Sequence, residues 1–373
     1  MILKLVVHLI GEYYKDGNNI WVSVAELNSN TIVDSKEKIT DLGVNKSNVK
    51  LVPKGTTLLS FKLSIGKTAI AGTDLYTNEA IAALVIKDEY THLLADKYLF
   101  VLFSSGKINL DCIGSKAFGK SLNLKDLNDI VVPLPSISEQ SKIIASFETL
   151  DNKTKEYRNQ IDSLKNKINS FISDIEENNN DKTKIKKVAT INPSKLSKNA
   201  YKPSHSISFI DMASVSENGY ICKQEIRDFG SVVSESYKCF LENDIIIAKI
   251  TPCMENGKCA LATNLTNGIG FGSTEFHVIR ADNTKILPKF LFLLLNREKI
   301  REEAKLRMTG KSGHRRVPEV YYSDLDIVNV DIETQKEIVA QVEILEKEIQ
   351  TLESKIVIAE EQKKTILNKY LFE

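Results

Sequence analysis

The chain has 373 residues, 42% hydrophobic and 27% charged, which supports packed cores in two domains of ordinary size. Its formal net charge of +1 excludes a general attraction for polyanions as an argument for nucleic acid. No run of about 18 consecutive apolar residues occurs, so no transmembrane helix is expected. Five cysteines (Cys112, Cys222, Cys239, Cys253 and Cys259), an odd number without a secretory signal, fit reduced thiols in a cytoplasmic protein.

In chain order, Met1 to Ile10 is apolar but short. It lacks a basic flank and a small-residue cleavage site and is not read as a signal peptide. Residues 1–138 follow as β-rich runs such as Ala80 to Ile86, a helical candidate at Lys97 to Ser104, and many Gly, Asn and Ser between them. A β-like run then leads directly into a long helix over 139–178, closed by the polar run Glu176 to Asp181, which reads as a solvated linker. Residues 183–332 repeat the β-rich pattern, with Ile245 to Ile250 as a strand and Pro288 to Met308 as a helical stretch. A second long helix fills 333–373.

The halves are similar to each other. Leu127 to Asp151 matches Leu325 to Glu348, with Gln140 against Gln335. Upstream, and in the same order, Asn19 to Leu27 matches Ile207 to Val215, and Leu58 to Ala71 matches Ile245 to Ala262. Thr77 to Ala80 matches Ser273 to Phe276, and Ile113 to Leu122 matches Thr309 to Pro318. The charge differs between halves. Residues 1–138 hold 15 basic and 14 acidic residues and no arginine, whereas residues 183–330 hold 22 and 16 with seven arginines. The second half is the better candidate for neutralising phosphates.

Both long helices carry a strict 4–3 alternation. The first gives Ile143, Phe147, Leu150, Thr154, Tyr157, Ile161, Leu164, Ile168, Phe171 and Ile175. The second gives Ile338, Val342, Leu345, Ile349, Leu352, Ile356, Ala359, Lys363, Ile366 and Tyr370. A 3.5-residue spacing keeps one stripe facing a partner helix, so the two are expected to pair as an antiparallel coiled coil. Polar Thr154 and Lys363 would fix the register at some cost in stability. Packing of each helix on its own globule is the alternative. Ser138, Glu333 or Thr334 are candidate caps or first-turn groups.

Catalytic signatures are missing from this pattern. The sequence contains neither G-x-G-x-x-G nor G-x-x-x-x-G-K-[ST]. An Asn-Pro-Pro-aromatic or Asp-Pro-Pro-aromatic tetrapeptide, as in amino-methyltransferases of DNA, is also absent; Asn192-Pro193 continues with Ser194. Cys253 and Cys259, with His277 as the nearest histidine, lack the spacing of a metal knuckle and read as hairpin thiols.

The twofold succession of β-run, "PLP…EQ" and heptad helix, from about Glu12 to Phe372, resembles the specificity subunits of Type I restriction–modification enzymes. Lys38 to Ile70 and Thr77 to Leu84 resemble a first target recognition domain. Asn243 to Leu261, Gly270 to Ala281 and Met308 to Pro318 resemble a second. The resemblance implies an α+β fold with two target recognition domains, separated by two long antiparallel helices in a pseudo-twofold repeat. It implies a non-catalytic subunit that binds a bipartite site in double-stranded DNA and docks two methylation subunits, joined by restriction subunits. S-adenosylmethionine, ATP and Mg would then belong to those partners and no cofactor to this chain. The family's usual opening segment, with a Trp and a Gly-Gly-Thr-Pro-like turn, is replaced here by Met1 to Ile10, which implies a shortened first domain.

The matched residues suit DNA contact. Lys62, Lys67, Lys249 and Lys258 flank β-like runs and can hold phosphates, with Gly66 and Gly257 allowing close backbone approach. Lys116 and Lys120, and in the other half Lys311, His314, Arg315 and Arg316, lie in Gly/Ser loops suited to phosphate or guanine. Asn78, opposite Glu275, and Glu255-Asn256 are candidates for base edges. Against this, features shared by both halves fit scaffold better, because readers of different half-sites should differ at base contacts. Two other functions fit part of the pattern. One is the specificity subunit of a Type II-like enzyme with a combined methylase and nuclease partner. The other is a coiled-coil scaffold that binds no DNA.

Overall fold

The computed structural model describes residues 11–28, 30–62, 64–108, 110, 122–311 and 313–371; the readings of Met1 to Ile10, Cys112, Lys116 and Lys120 lie outside them. The fold is α+β. It divides into two compact units, residues 1–159 with 352–373, and residues 160–351, so each long helix contributes a half to each unit.

Unit 1 contains β1 (Asn19–Val22), β2 (Thr31–Ile32), β3 (Glu37–Ile39), α1 (Asp41–Lys46), β4 (Thr57–Ser60), β5 (Thr68–Ala71), β6 (Tyr76–Thr77), β7 (Ile81–Leu84), α2 (Tyr98–Ser104) and α3 (Leu124–Asn128). β1 is central to a three-stranded sheet, antiparallel to β3 and parallel to β6. β4 is central to the order β2-β5-β4-β7, antiparallel to both β5 and β7. The runs TLLS and TAIA do not alternate in polarity because both faces are covered. Leu58, Ala69 and Ala71 pack with Val22 and Ile32, while Leu59 packs with Phe61, Phe103 and Leu127.

Unit 2 contains β8 (Lys182–Lys184), α5 (Ile185–Val188), β9 (Ala189–Ile191), β10 (Ser206–Ile210), β11 (Glu225–Asp228), α6 (Phe229–Val232), β12 (Lys238–Leu241), β13 (Ile245–Ala248), β14 (Cys259–Leu261), β15 (Ile269–Gly272), β16 (Phe276–Ala281), α7 (Pro288–Leu295), α8 (Glu298–Leu306), α9 (Glu319–Asp324) and β17 (Asp326–Val328). Its topology repeats that of unit 1. β10 is antiparallel to β11 and parallel to β15, as β1 is to β3 and β6. β13 is antiparallel to β14 and β16, as β4 is to β5 and β7. The central residues even share register: Leu58 faces Ala69 and Ala83, and Ile246 faces Ala260 and Val278.

Two local expectations change. Pro288 to Met308 is two helices, not one. α7 is apolar apart from Lys289 and is buried from Phe290 to Leu295. It stops where the Asn296 amide bonds the Phe292 carbonyl, and Arg297 turns extended toward α8. The polar run after the first long helix is pinned rather than merely solvated: Asn329 bonds Asp181 through its amide (3.0 Å) and its side chain (2.7 Å).

The long helices are α4 (Ile137–Asn178) and α10 (Ile332–Leu371), 42 and 40 residues. Glu333 is a first-turn acid of α10 as expected, while the caps are other residues. Ser136 forms a box with Glu139 at α4, and Asp331 accepts from the Thr334 amide at α10. Within unit 1 the start of α4 (Ile143, Phe147) shares a core with the end of α10 (Ile366, Leu367). Within unit 2 the end of α4 (Ile172, Ile175) shares one with the start of α10 (Ile338, Val342). The direction of packing is thus antiparallel in each. The globules also cover these ends: Tyr98, Phe100 and Val101 join the first core, and Phe290 and Leu294 the second. Added cover shifts the deepest positions from Phe171 to Ile172 and from Ile366 to Leu367. Seam residue Lys363 is satisfied by Asp151 at 2.5 Å and Glu360 at 2.9 Å, whereas the buried Thr154 hydroxyl has no partner among the described residues.

The aligned glutamines have one job. Each is buried in the first turn of its helix. Gln140 Nε2 donates to the Leu93 and Pro135 carbonyls and Oε1 accepts from the Ala95 amide. Gln335 Nε2 donates to the Lys285 and Val330 carbonyls and Oε1 accepts from the Leu287 amide. The side chain ties the helix start to the chain entering the globule's own helix. Among the described residues, no helix is long and apolar enough to cross a membrane.

Candidate nucleic-acid interface

In unit 2, most of the residues singled out in the sequence come together. β13 and β16 are antiparallel neighbours with Ala248 opposite Phe276, so the end of one strand lies beside the start of the other. The Lys249 amide bonds the Glu275 carbonyl at 2.9 Å. A third segment, with Thr309 at one end and Arg315 and Arg316 at the other, closes on the same place. The Val317 amide reaches the Lys249 carbonyl, the Thr251 amide reaches the Arg315 carbonyl, and Thr309 and Arg316 bridge each other. This loop turns at Gly310 (φ +120°) and Gly313 (φ +80°), conformations that favour glycine.

The head groups form a charged layer on that scaffold. Arg316 donates from Nε and Nη2 to Glu275 (2.9 and 2.8 Å) and from Nη1 to the His314 carbonyl. That fork holds the Glu275 carboxyl below the usual carboxylate range. Lys249 Nζ donates to the Thr274 carbonyl at 2.9 Å and lies 4.0 Å from Glu275, while burial pulls its pKa down. Arg315 meets Glu255 only loosely, at 3.4 Å. Asn256, Lys311 and His314 are exposed.

Other candidates have different surroundings. Lys258 Nζ is bonded to the Met212 and Val215 carbonyls, both at 2.9 Å, which makes it a tie between loops. Gly257 has φ +83°, and a Cβ there would stand 2.6 Å from Arg301. In unit 1, Lys62 is half-buried with Nζ 5.4 Å from the Phe61 ring centre. Lys67 is exposed, and its amide bonds Ser60 Oγ. Asn78 Oδ1 accepts from the Ala80 amide, a local turn contact. Among the described residues no contact joins these three.

Sequence reasoning missed one network. Asn192 (φ +47°) donates from Nδ2 to Glu319 at 2.7 Å and to His277 Nδ1 at 3.1 Å. Lys238 donates to Asn192 Oδ1. His277 is buried, and burial lowers its pKa. Its Nε2 faces the Val317 carbonyl at 2.8 Å, which requires the proton on Nε2. The neutral ring thus links β16 to the end of the Arg315-Arg316 loop. An Asn before Pro at a strand end was the available signal. Cys259 is fully buried, its thiol pushed up to about 12, and among the described residues no cluster of three potential metal ligands occurs.

A family model described as Type I restriction modification DNA specificity domain matches residues 8–166. The Type I restriction enzyme EcoAI specificity subunit of Escherichia coli is 35% identical over 158 residues, 42% of this chain and 26% of its own length. The EcoEI specificity subunit of Escherichia coli is 33% identical over 144 residues, 38% of this chain and 24% of its own. The matches thus span less than a third of either relative. A chain from a study of complex assembly and conformational transition of the type I R-M system aligns at 15% identity. It covers 98% of this chain and 96% of its own, with a TM-score of 0.54, a likeness of fold. Residues 8–166 thus match the Type I restriction modification DNA specificity domain, and this part of the chain is similar to the specificity subunits of Type I restriction enzymes.

Proposed function

We propose that this chain is the non-catalytic DNA-recognition subunit of a Type I restriction–modification complex. The observation that carries the reading is the repeated topology. Residues 8–166 match a DNA specificity domain, and unit 2 has the same strand connections about its two central strands. Each globule then recognises one half of a split duplex site. The two helices act as a coiled-coil spacer and dock two methylation subunits, with restriction subunits added. S-adenosylmethionine, ATP and Mg serve those partners, in the cytoplasm.

Within unit 2, the layer of Lys249, Glu255, Glu275, Arg315 and Arg316 is the proposed DNA-facing surface. Asn256, Lys311 and His314 border it. Lys62, Lys67, Asn78, Lys116 and Lys120 are the corresponding proposals in the first half. Arg316 is already held by a bidentate carboxylate and orients the loop. Arg315, whose side chain makes one long contact among the described residues, is free to exchange Glu255 for a base edge.

Arg315→Ala is expected to cost about 1–3 kcal/mol on the cognate duplex and to relax the requirement at one base pair. Binding titrations on cognate and singly substituted duplexes check this. An equal loss on all sequences would make Arg315 a phosphate contact instead, and unchanged binding would remove the loop from the interface.

A further inference from the structure

The segment from Asn192 to Ile210 of unit 2 contains Lys195, Lys198 and Lys202 and no acidic residue. It leaves β9 and crosses one face of the sheet β11-β10-β15-β12. On the way Lys195 Nζ bonds the Glu235 carbonyl and Leu196 packs beside Cys239 and Phe271. It ends at β10. No part of it belongs to the charged layer around Arg316.

The backbone of this loop is fixed. Turns close from the Ala200 amide to the Ser197 carbonyl and from the His205 amide to the Lys202 carbonyl. The Phe229 and Gly230 amides clamp the His205 and Pro203 carbonyls, both at 2.8 Å. Gly230 lies so close that a Cβ would stand 2.8 Å from Pro203. Tyr201 stacks on His205 (4.5 Å between ring centres, 14° between planes) and meets Phe229 edge-on, yet remains 40% exposed. Lys198 and Lys202, before and after Tyr201 in the loop, are exposed, and neither has a carboxylate within ion-pair reach among the described residues.

Four other cations of unit 2 do meet a carboxylate: Lys184 that of Asp326, Lys186 that of Asp324, Arg227 that of Glu225 and Lys285 that of Asp282. Two unneutralised lysines on a rigid, acid-free loop therefore form a fixed positive site. Its backbone needs no ordering on binding, which lowers the entropic cost of contact. Two charges a few residues apart, with a phenol between them, suit successive phosphates of a nucleic-acid backbone, because such contacts need charge and position but no base pattern.

We propose that Lys198 and Lys202, with Tyr201 between them, clamp the phosphate backbone of duplex DNA beside the half-site read by unit 2. The inference rests on the DNA-recognition reading. It assigns this loop the sequence-independent share of binding and leaves the base choice to the Arg315 surface.

The test compares the full-length wild type with Lys198→Gln/Lys202→Gln, titrating a duplex carrying the cognate site and a mixed-sequence duplex at several salt concentrations. The expected result is weaker binding of both duplexes by the same factor, with the slope of log K against log salt shallower by about two. Lys198→Arg/Lys202→Arg should keep the wild-type slope, and circular dichroism should show an unchanged fold in both variants. A wild-type slope in the glutamine variant overturns the clamp while the DNA reading stands. The same holds if the variant loses affinity only for the cognate duplex. Absence of binding by the wild type overturns both.

Discussion

Gln335→Leu is expected to destabilise unit 2 by about 3 kcal/mol or more, since each buried polar group left without a partner costs about 1–3 kcal/mol. Three part-buried groups lose their partner at once: the carbonyls of Lys285 and Val330 and the amide of Leu287. Leucine matches the volume but satisfies none of them. Gln140→Leu strands the carbonyls of Leu93 and Pro135 and the amide of Ala95 in unit 1. With two compact units, a single unfolding midpoint would mix their responses, so the measurement is native-state hydrogen exchange. Gln335→Leu should deprotect residues 285–295 and spare residues 93–104. Gln140→Leu should do the reverse. Equal protection in wild type and variant would show that the glutamines do not hold the helix starts.

Arg297→Ala is expected to be nearly as damaging. The guanidinium sits between α7 and α8, contacts the Glu176 carboxylate and donates to Ser173 Oγ at 2.6 Å, with both charges largely buried. Removing the cation alone leaves Glu176 without its counter-charge, and breaking a buried pair in this way costs about 3–5 kcal/mol. Arg297→Met/Glu176→Leu removes both charges and should recover most of the loss. Thermal unfolding of the single and double variants, read against wild type, tests this. A double variant as unstable as Arg297→Ala would mean that the side chain contributes by packing and not by charge.

The sequence made some of this structure legible for physical reasons. A 3.5-residue period survives in composition, so α4 and α10 could be placed without any tertiary information. The halves align because equivalent strands need equivalent burial: Leu58 and Ile246 occupy the same place in the same sheet. What escaped depends on contacts between distant segments. At the break, Arg297 meets Glu176 and Ser173, far away in sequence. The shift of the buried stripe to Ile172 and Leu367 comes from the globules covering the helix ends. Gln140 and Gln335 aligned by type, but only the fold reveals that both face carbonyls. Among the candidate contacts, residues near Arg315 and Arg316 converge because β13 and β16 are neighbours. Lys258 had the same sequence credentials and is taken up by the Met212 and Val215 carbonyls. The lysines at 198 and 202 carried no motif, since a phosphate contact needs only charge and exposure.

Exchanging residues 183–322 for the matching segment of a relative with a different second half-site tests the central claim most directly. The chimaera would be co-expressed with the proposed methylation subunits and the methylated motif read by methylome sequencing. If each globule recognises its own half-site while the helices set their separation, one half of the motif should change. The other half and the spacer should stay as in wild type. A motif altered in both halves, or in neither, would contradict the account.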